Sequence, residues 1–466
     1  MDVLIIGAYG SAGVAVATDL VDAPEIDRLT LVDDGDPGGG LCILDGCMPS
    51  KEVLSAGAHR FQARADHRVT DAPDVDLDAV VGTKDEHIHN FAEHRRAAVE
   101  MLTERDHVEF VHDTARFVDD RTVRVGDREY VPDYVVVATG SVVNVPGLPG
   151  IDDVEFMTSA DVLDATALPD SGVVMGFGYV GMELVPYLAE AGGMDLTVVE
   201  HDARPLDEAD PAFGEALLDI YRDELGIEIL TETYEERVEP TDDGGVRLHT
   251  DRDDERATVD ADQLFLFTGR RPNLDGLGLE HTRLNPDPGW VLDTMQARDD
   301  ERVFVAGDVN GKEPILHVAK EQGFTAAANV RRHAAGEPLV PYENVHHHVV
   351  FSALGVYPYA RVGYSAAAAE AAGLDFVAVS REASSDGVFK TKDAAAGRAS
   401  LVVDATDGTV LGYQGLHYHA DVMAKTMQVV VETGMDVRAV PDRAFHPTTP
   451  EILDGLFRTA TEKLDG

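Results

Sequence analysis

The sequence predicts an α/β fold: two Rossmann-like nucleotide-binding domains and a C-terminal α+β domain. Two observations carry this. The order strand, glycine-rich turn, helix, strand, acid occurs twice, from Val3 to Asp33 and from Val173 to Glu200, and each copy has the form of a βαβ nucleotide unit. After about residue 338 the texture changes to alternating runs such as Ser400-Leu401-Val402-Val403 and Thr409-Val410-Leu411-Gly412, which read as antiparallel strands. At 466 residues and 44% hydrophobic content, the chain is long enough for two or three domains with real cores.

In the first unit the apolar run Val3-Leu4-Ile5-Ile6 enters Gly7-Ala8-Tyr9-Gly10-Ser11-Ala12-Gly13. The spacing is G-x-x-G-x-x-G, one residue longer in its first step than the dinucleotide pattern G-x-G-x-x-G. Tyr9 can be accommodated as a bulged turn. An ordinary strand-to-helix connection is the alternative, but Asp33, at the end of the next strand, favours a nucleotide site. The second turn, Gly176-Phe177-Gly178-Tyr179-Val180-Gly181, fits the pattern without insertion. Such a turn seats a pyrophosphate on backbone N–H groups at a helix N-terminus. Glu200 ends the following strand, where an acid binds ribose hydroxyls and repels a 2′-phosphate, which favours NADH. His201 and Arg204 follow at once and offer a phosphate two cationic side chains. Pro186, inside the helix after this turn, is expected to kink it, for no reason visible in the sequence.

Further apolar strands deliver tight turns. They run into Ala138-Thr139-Gly140-Ser141, into Thr268-Gly269-Arg270-Arg271-Pro272-Asn273, and into Ala306-Gly307-Asp308. In the last domain, residues 421 to 433 read as a helix.

The charge is unusual: 86 acidic residues against 38 basic ones, a formal net charge of -48. A basic partner, disorder, or adaptation to high salt could each account for it. The acids are interleaved with good apolar periodicity, which argues against disorder. At about 1 M salt the Debye length is only about 3 Å, so the self-repulsion would be screened. The same charge disfavours nucleic acid as a partner, because phosphate binding needs basic patches. The chain opens into an apolar strand with no basic leader and has no apolar stretch long enough to span a bilayer. These features lead us to expect a cytoplasmic protein without a membrane partner.

Cys42 and Cys47 are the only cysteines. Structural bridges are rare in the cytoplasm, so a close pair points to catalysis or metal. A zinc site would need a second ligand pair of this kind, and none exists; we expect no metal.

The segment Gly39-Gly40-Leu41-Cys42-Ile43-Leu44-Asp45-Gly46-Cys47-Met48-Pro49-Ser50-Lys51 resembles the signature of the pyridine nucleotide–disulfide oxidoreductases, GG-x-C-x4-C-x-P-x-K. The resemblance extends over nearly the whole chain. Thr158-Ser159, Ala138-Thr139-Gly140-Ser141, Gly269-Arg270-Arg271-Pro272-Asn273, Ala306-Gly307-Asp308 and His446-Pro447-Thr448-Thr449-Pro450-Glu451 follow the family's order. Leu41 stands for the usual Thr and Leu44 for the usual Asn, and the first glycine turn is longer. The resemblance implies an FAD-binding domain in two parts, residues 1–148 and 269–338, an NAD(P)-binding domain at 149–268, and a dimerisation domain at 339–466.

It also implies roles. Cys47 lies against the flavin and Cys42 is the outer thiol that attacks the substrate disulfide. Two thiols five positions apart on a helical turn can close a strained disulfide, and the helix N-terminus favours the thiolate, the nucleophilic form. Lys51 sits near the flavin N5 and pairs with Glu183, while Tyr179 covers the nicotinamide pocket. His446, oriented by Glu451, serves as base and acid for the exchange. The family supplies this dyad from a partner subunit, which implies a homodimer. Asp33 takes the adenosine ribose and Asp308 the ribitol or phosphate side of FAD. The cofactor-binding set is completed by Gly7, Gly10, Ser11, Ala12, Gly13, Gly40, Thr139, Gly140, Gly176, Gly178, Val180, Gly181, Glu200, His201, Arg204, Gly269, Arg270 and Gly307. His346-His347-His348 reads as a surface or strand-edge cluster.

For the substrate, absent residues narrow the family. No cysteine follows Cys47, so the second redox pair of mercuric reductases and large thioredoxin reductases is missing. The stretch from Val14 to Leu20 lacks the arginine that glutathione reductases carry. Two readings remain: a reductase of a small thiol disulfide, resembling the bis-γ-glutamylcystine reductase of salt-loving archaea, which prefers NADPH, and a dihydrolipoamide dehydrogenase using NADH. Arg95 and Arg96 are candidate partners for a charged disulfide. A flavin oxidase or FAD-binding subunit with an idle cysteine pair is the reading from a different class, against which the intact His446 and Glu451 motif speaks.

Overall fold

The structure is a computed structural model and describes residues 1–443 and 445–466. The chain divides into two compact units. One comprises residues 1–49, 83–144 and 270–344, and the other residues 50–82, 145–269 and 345–466.

The first unit is built on a five-stranded parallel sheet. Its strand order is Val303–Val305, Tyr134–Val137, Asp2–Ile6, Arg28–Asp33, Val108–His112. Strands buried on both faces read as continuous apolar runs, and Val3, Leu4, Ile5, Leu29, Leu31, Val136 and Phe304 are all buried here. The helices Ser11–Leu20 and Leu316–Ala334 pack on one face. A Cβ on Gly323 would stand 2.5 Å from the carbonyl oxygen of Ala12, so the two helices meet nearly backbone to backbone. A three-stranded antiparallel sheet (Ala115–Phe117, Val123–Val125, Arg128–Tyr130) covers the other face through a second apolar cluster.

The second unit contains a parallel sheet ordered Glu228–Leu230, Asp195–Val199, Ser171–Met175, Gln263–Leu266, Phe156–Met157. A three-stranded antiparallel sheet spans Tyr234–Pro240, Val246–Arg252 and Glu255–Ala261. The same unit holds a five-stranded antiparallel sheet, His347–Val350, Tyr359–Gly363, Val410–Leu416, Arg398–Asp404, Phe376–Glu382. Helices Ala420–Glu432 and Glu451–Asp465 pack against it. The first of these begins and ends one residue before the span read from the sequence.

Pro186 sits inside the helix Tyr179–Glu190 and is buried. A proline there lacks the N–H that would bond the carbonyl four residues back, the carbonyl of Met182. That oxygen instead accepts the hydroxyl of Tyr221, which is fully buried and in turn accepts the Ala353 N–H at 3.0 Å. The proline thus leaves the Met182 carbonyl with a partner.

No helix among the described residues is long and apolar enough to cross a membrane.

Candidate functional site

The predicted nucleotide residues of the first unit lie at the carboxyl ends of its parallel strands, where α/β sheets bind ligands. Gly7 follows the strand Asp2–Ile6 with φ +94, a conformation that favours glycine. Gly10 is the N-cap of Ser11–Leu20 and has no side chain to cap it, and a helix N-terminus of this kind can take a phosphate on its N–H groups. A Cβ on Gly13 would stand 2.1 Å from the Gly7 carbonyl oxygen, so only glycine lets the helix seat on the turn.

The extra residue is taken up between Gly7 and Gly10. Tyr9 folds inward, 8% exposed, with its ring 5.1 Å from that of Phe110. Its N–H donates to Asp33 Oδ2 at 2.8 Å, and Gly35 N–H donates to Asp33 Oδ1 at 2.9 Å. Burial raises the Asp33 carboxyl above its ordinary range, and these two donors act against it.

The second unit repeats the arrangement. Gly176 has φ +91, Gly178 caps Tyr179–Glu190 without a side-chain bond, and a Cβ on Gly181 would stand 2.6 Å from the Gly176 carbonyl oxygen. Val180 lies in the first turn of that helix. Glu200 accepts Phe177 N–H at 2.7 Å and Asp202 N–H at 3.0 Å. In both units the acid ending the second strand therefore clamps the glycine turn from the side. His201 is paired with Glu235 and stacked on Tyr234. Arg204 is half-buried, and its stem packs beside Gly214.

The remaining turns of the first unit interlock. Thr139 Oγ1 donates to the Asn273 carbonyl at 2.7 Å, and Asn273 N–H donates to the Gly140 carbonyl at 3.0 Å. Ser141 Oγ donates to Asp308 Oδ2 at 2.7 Å, and Arg270 Nη2 donates to the Ser141 carbonyl at 2.6 Å. Burial lowers the Arg270 pKa while Asp308 and Asp45 support its charge. Gly307 N–H is held by the buried Gln322 at 2.9 Å. Gly269 closes the neighbouring segment of the second unit, with φ +84. These buried acceptors and uncapped helix ends match what two dinucleotides require.

The cysteines do not share one helical turn, as the spacing suggested. Cys42 lies in the short helix Leu41–Leu44, and Cys47 begins the long helix Cys47–Ala65. Asp45-Gly46 breaks between them. A Cβ on Gly46 would stand 2.9 Å from the Leu41 carbonyl and 3.0 Å from Cys42 Cα, so the break folds the chain back and brings the thiols together. Both are in the thiol form; Cys42 is half-buried and Cys47 exposed. The hydrogen bond with Cys47, then burial, raises the Cys42 pKa, while Arg95 acts to lower it. Two such thiols titrate as a pair, and the start of a 19-residue helix at Cys47 favours negative charge there.

Arg95 and Arg96 have another task than the one the sequence suggested. Arg95 Nη1 donates to the Tyr9 carbonyl at 3.0 Å, and Arg96 Nη1 to the Gly38 carbonyl at 3.3 Å. They tie the inserted tyrosine and the Gly38–Gly40 loop to the helix Leu77–Leu102. Gly40 itself closes onto Gly10, where a Cβ would stand 3.0 Å from the Gly10 Cα.

In the second unit Lys51 Nζ lies 2.6 Å from Glu183 Oε2, and Phe351 N–H donates to Glu183 Oε1 at 3.1 Å. Tyr179 and Glu183 are one helical turn apart on Tyr179–Glu190 and share a face. His446 Nδ1 lies 3.0 Å from Glu451 Oε1, which also accepts Thr448 N–H at 2.9 Å. The latter bond, followed by the histidine, holds the Glu451 carboxyl below its usual range against burial. With Nδ1–H donated to the carboxylate, Nε2 is the basic nitrogen, and the ring is 79% exposed. His347 and His348 lie on the edge strand His347–Val350, as the strand-edge reading has it, but not all of the cluster is at the surface: His348 is 5% exposed and contacts Glu208. Glu208 was missed in the sequence, where it reads as one more acid among many.

A family model described as pyridine nucleotide-disulphide oxidoreductase matches residues 1–323, and the dimerisation domain of the same family matches residues 348–456. The chain is 31% identical to dihydrolipoyl dehydrogenase 2 of Haloarcula marismortui, over 97% of this chain and 95% of that one. It is 30% identical to a mercuric reductase of Shigella flexneri, over 97% of this chain and 79% of that one. Among solved structures, the HOCl-induced flavoprotein disulfide reductase RclA of Escherichia coli superposes with a TM-score of 0.82 at 22% identity, covering 98% of this chain and 99% of that one. LpdA of Mycobacterium tuberculosis gives 0.83 at 22% identity, with the same coverage. At that identity the structural likeness speaks to the fold.

Proposed function

Because the chain belongs to the pyridine nucleotide-disulphide oxidoreductase family, whose members are FAD-dependent and use NAD(P)H, we propose that it reduces a low-molecular-weight disulfide through Cys42 and Cys47. The observation that carries the proposal is the folded-back turn at Gly46, which sets the two thiols in mutual contact. Bound FAD supplies the passage of two electrons from NAD(P)H to the oxidised cysteine pair.

The chain's own groups account for the rest. The Cys42 thiolate attacks one sulfur of the substrate, forming a mixed disulfide and releasing the first thiolate. His446 of the partner subunit, oriented as His446 and Glu451 are here, protonates that leaving group. The Cys47 thiolate then attacks the Cys42 sulfur; the second thiol leaves and the Cys42–Cys47 disulfide closes. The hydrogen bond with Cys47 and burial raise the Cys42 pKa, and Arg95 and the helix N-terminus at Cys47 act against them, toward the thiolate. Lys51, held by Glu183, would be the cation beside the flavin, and Tyr179 would cover the nicotinamide pocket. The uncapped turns at Gly10 and Gly178 take the pyrophosphates of FAD and NAD(P)H.

A homodimer follows from the dimerisation domain. Phe445 is 89% exposed beside His446, and Val422 and Val429, two turns apart on Ala420–Glu432, are 66% and 50% exposed. Apolar side chains placed this way suit a subunit contact. We place the protein in the cytoplasm, adapted to high salt by its charge of -48.

For the substrate we propose bis-γ-glutamylcystine, on the strength of that adaptation. A second reading, lipoamide with NADH, is favoured by Glu200 and by the Glu235 carboxylate on His201, which surround the ribose with negative charge. The bonds of Arg95 and Arg96 to backbone carbonyls also weaken their use for a charged disulfide. The test is oxidation of NADPH and NADH by the holoenzyme in about 1 M salt, with both disulfides side by side. Turnover of bis-γ-glutamylcystine supports the first reading. Turnover of lipoamide alone, with NADH, makes the protein a dihydrolipoamide dehydrogenase.

A further inference from the structure

Three side chains of the second unit meet: His348 on the strand His347–Val350, Glu208 and Tyr179. Tyr179, the first residue of its helix and 41% exposed, donates its hydroxyl to Glu208 Oε1 at 2.6 Å. His348 Nε2 lies 3.0 Å from the same oxygen; burial lowers the His348 pKa, and Glu208 acts against that. The His348 ring leans over Tyr179 with centroids 5.4 Å apart, and its Nδ1 pairs with His346 Nε2 at 2.9 Å. The Glu208 backbone is pinned as well, its carbonyl accepting Nη1 of the buried Arg361 at 2.8 Å. Burial acts to raise the Glu208 carboxyl, but His348, Tyr179 and Asp207 outweigh it and hold it below the usual range. Glu208 is therefore an anion accepting from a phenol, a charge-assisted bond of the stronger kind.

We propose that Glu208, oriented by His348, is the latch that holds Tyr179 over the nicotinamide pocket, and so sets the affinity for NAD(P)H. The proposal rests on the reading of Tyr179 as the cover of that pocket. Glu208 is a positioning residue: it acts through Tyr179. A coenzyme that binds only the uncovered form has an apparent Kd raised by the rarity of that form. Releasing the latch therefore tightens apparent binding, while the limiting rate of reduction stays where Lys51 and Glu183 set it.

The experiment is rapid mixing of the oxidised holoenzyme with NADH or NADPH, separating apparent Kd from limiting rate. Glu208→Ala is expected to lower the apparent Kd about tenfold, with the limiting rate within about threefold of the parent. Glu208→Gln, which keeps an acceptor without the charge, should fall between. Tyr179→Phe breaks the same bond from the other end, so the test survives if Glu208→Ala does not fold. Tyr179→Phe combined with Glu208→Ala should give no more than either alone. An unchanged Kd in both Glu208 variants, with a shift in Tyr179→Phe, overturns the latch and leaves the cover standing. No shift in Tyr179→Phe or Tyr179→Ala overturns the cover itself. A Kd raised in Glu208→Ala also overturns the latch, since Glu208 then assists coenzyme binding.

Discussion

Lys51 Nζ sits 2.6 Å from one oxygen of Glu183 and 2.8 Å from the other, with side chains 32% and 15% exposed. The pair is partly sheltered from solvent, which strengthens its mutual attraction. Glu183→Gln keeps the shape and removes the countercharge. It should cost about 1–3 kcal/mol in urea unfolding and slow reduction by NAD(P)H about tenfold. Parent-like values of both would show that the ion pair does nothing for the site.

Gly13 is seated where a methyl group would stand 2.1 Å from the Gly7 carbonyl oxygen. Gly13→Ala should push the helix Ser11–Leu20 off its turn. The expected result is protein that purifies without flavin absorbance. Gly82→Ala, at a helical site where a Cβ meets nothing within 4 Å, is the control that should keep the flavin.

The two glycine turns and the pairing of His446 with Glu451 are legible in the sequence because each is local. In the glycine turns, strand, turn and helix follow within a few residues, so the spacing predicts their geometry. What was not legible depends on distant partners. Arg95 and Arg96 look like spare surface cations until the fold places the Tyr9 and Gly38 carbonyls against them. Pro186 looks like a defect until Tyr221, 39 residues beyond Met182, supplies the missing donor. The sequence places Cys42 and Cys47 on one helical turn, and the break between them stays hidden because the close packing that requires Gly46 is a tertiary fact.

His417 is wholly buried, with Nδ1 on the Tyr418 carbonyl and Nε2 on the Tyr413 hydroxyl, each at 3.0 Å. The ring is neutral, since burial pushes its pKa down to about 4. In the unfolded chain it titrates near 6.5. Between these values the unfolded state binds the extra proton, so stability falls as pH drops from about 6.5 toward about 4. The loss approaches about 1.4 kcal/mol per pH unit. Urea midpoints at about pH 7, 6 and 5 should decline, and His417→Gln should flatten the slope. Equal slopes in parent and variant would remove His417 as a source.

The formal charge of -48 should make the fold depend on screening. Thermal midpoints are expected to rise steeply from dilute buffer to about 1 M potassium chloride, where the Debye length is about 3 Å. A midpoint that stays level across that range contradicts the high-salt reading.

The central claim is that the Cys42 and Cys47 thiols carry electrons to the substrate. The most direct measurement compares two activities of the holoenzyme in Cys42→Ser and Cys47→Ser: NAD(P)H-driven reduction of the disulfide, and NAD(P)H-driven reduction of a quinone dye that accepts electrons without needing thiols. The account predicts that each serine variant loses disulfide reduction by about a thousandfold or more while keeping dye reduction within about threefold. Disulfide reduction that survives in both variants would contradict it and leave an idle cysteine pair on a flavoprotein.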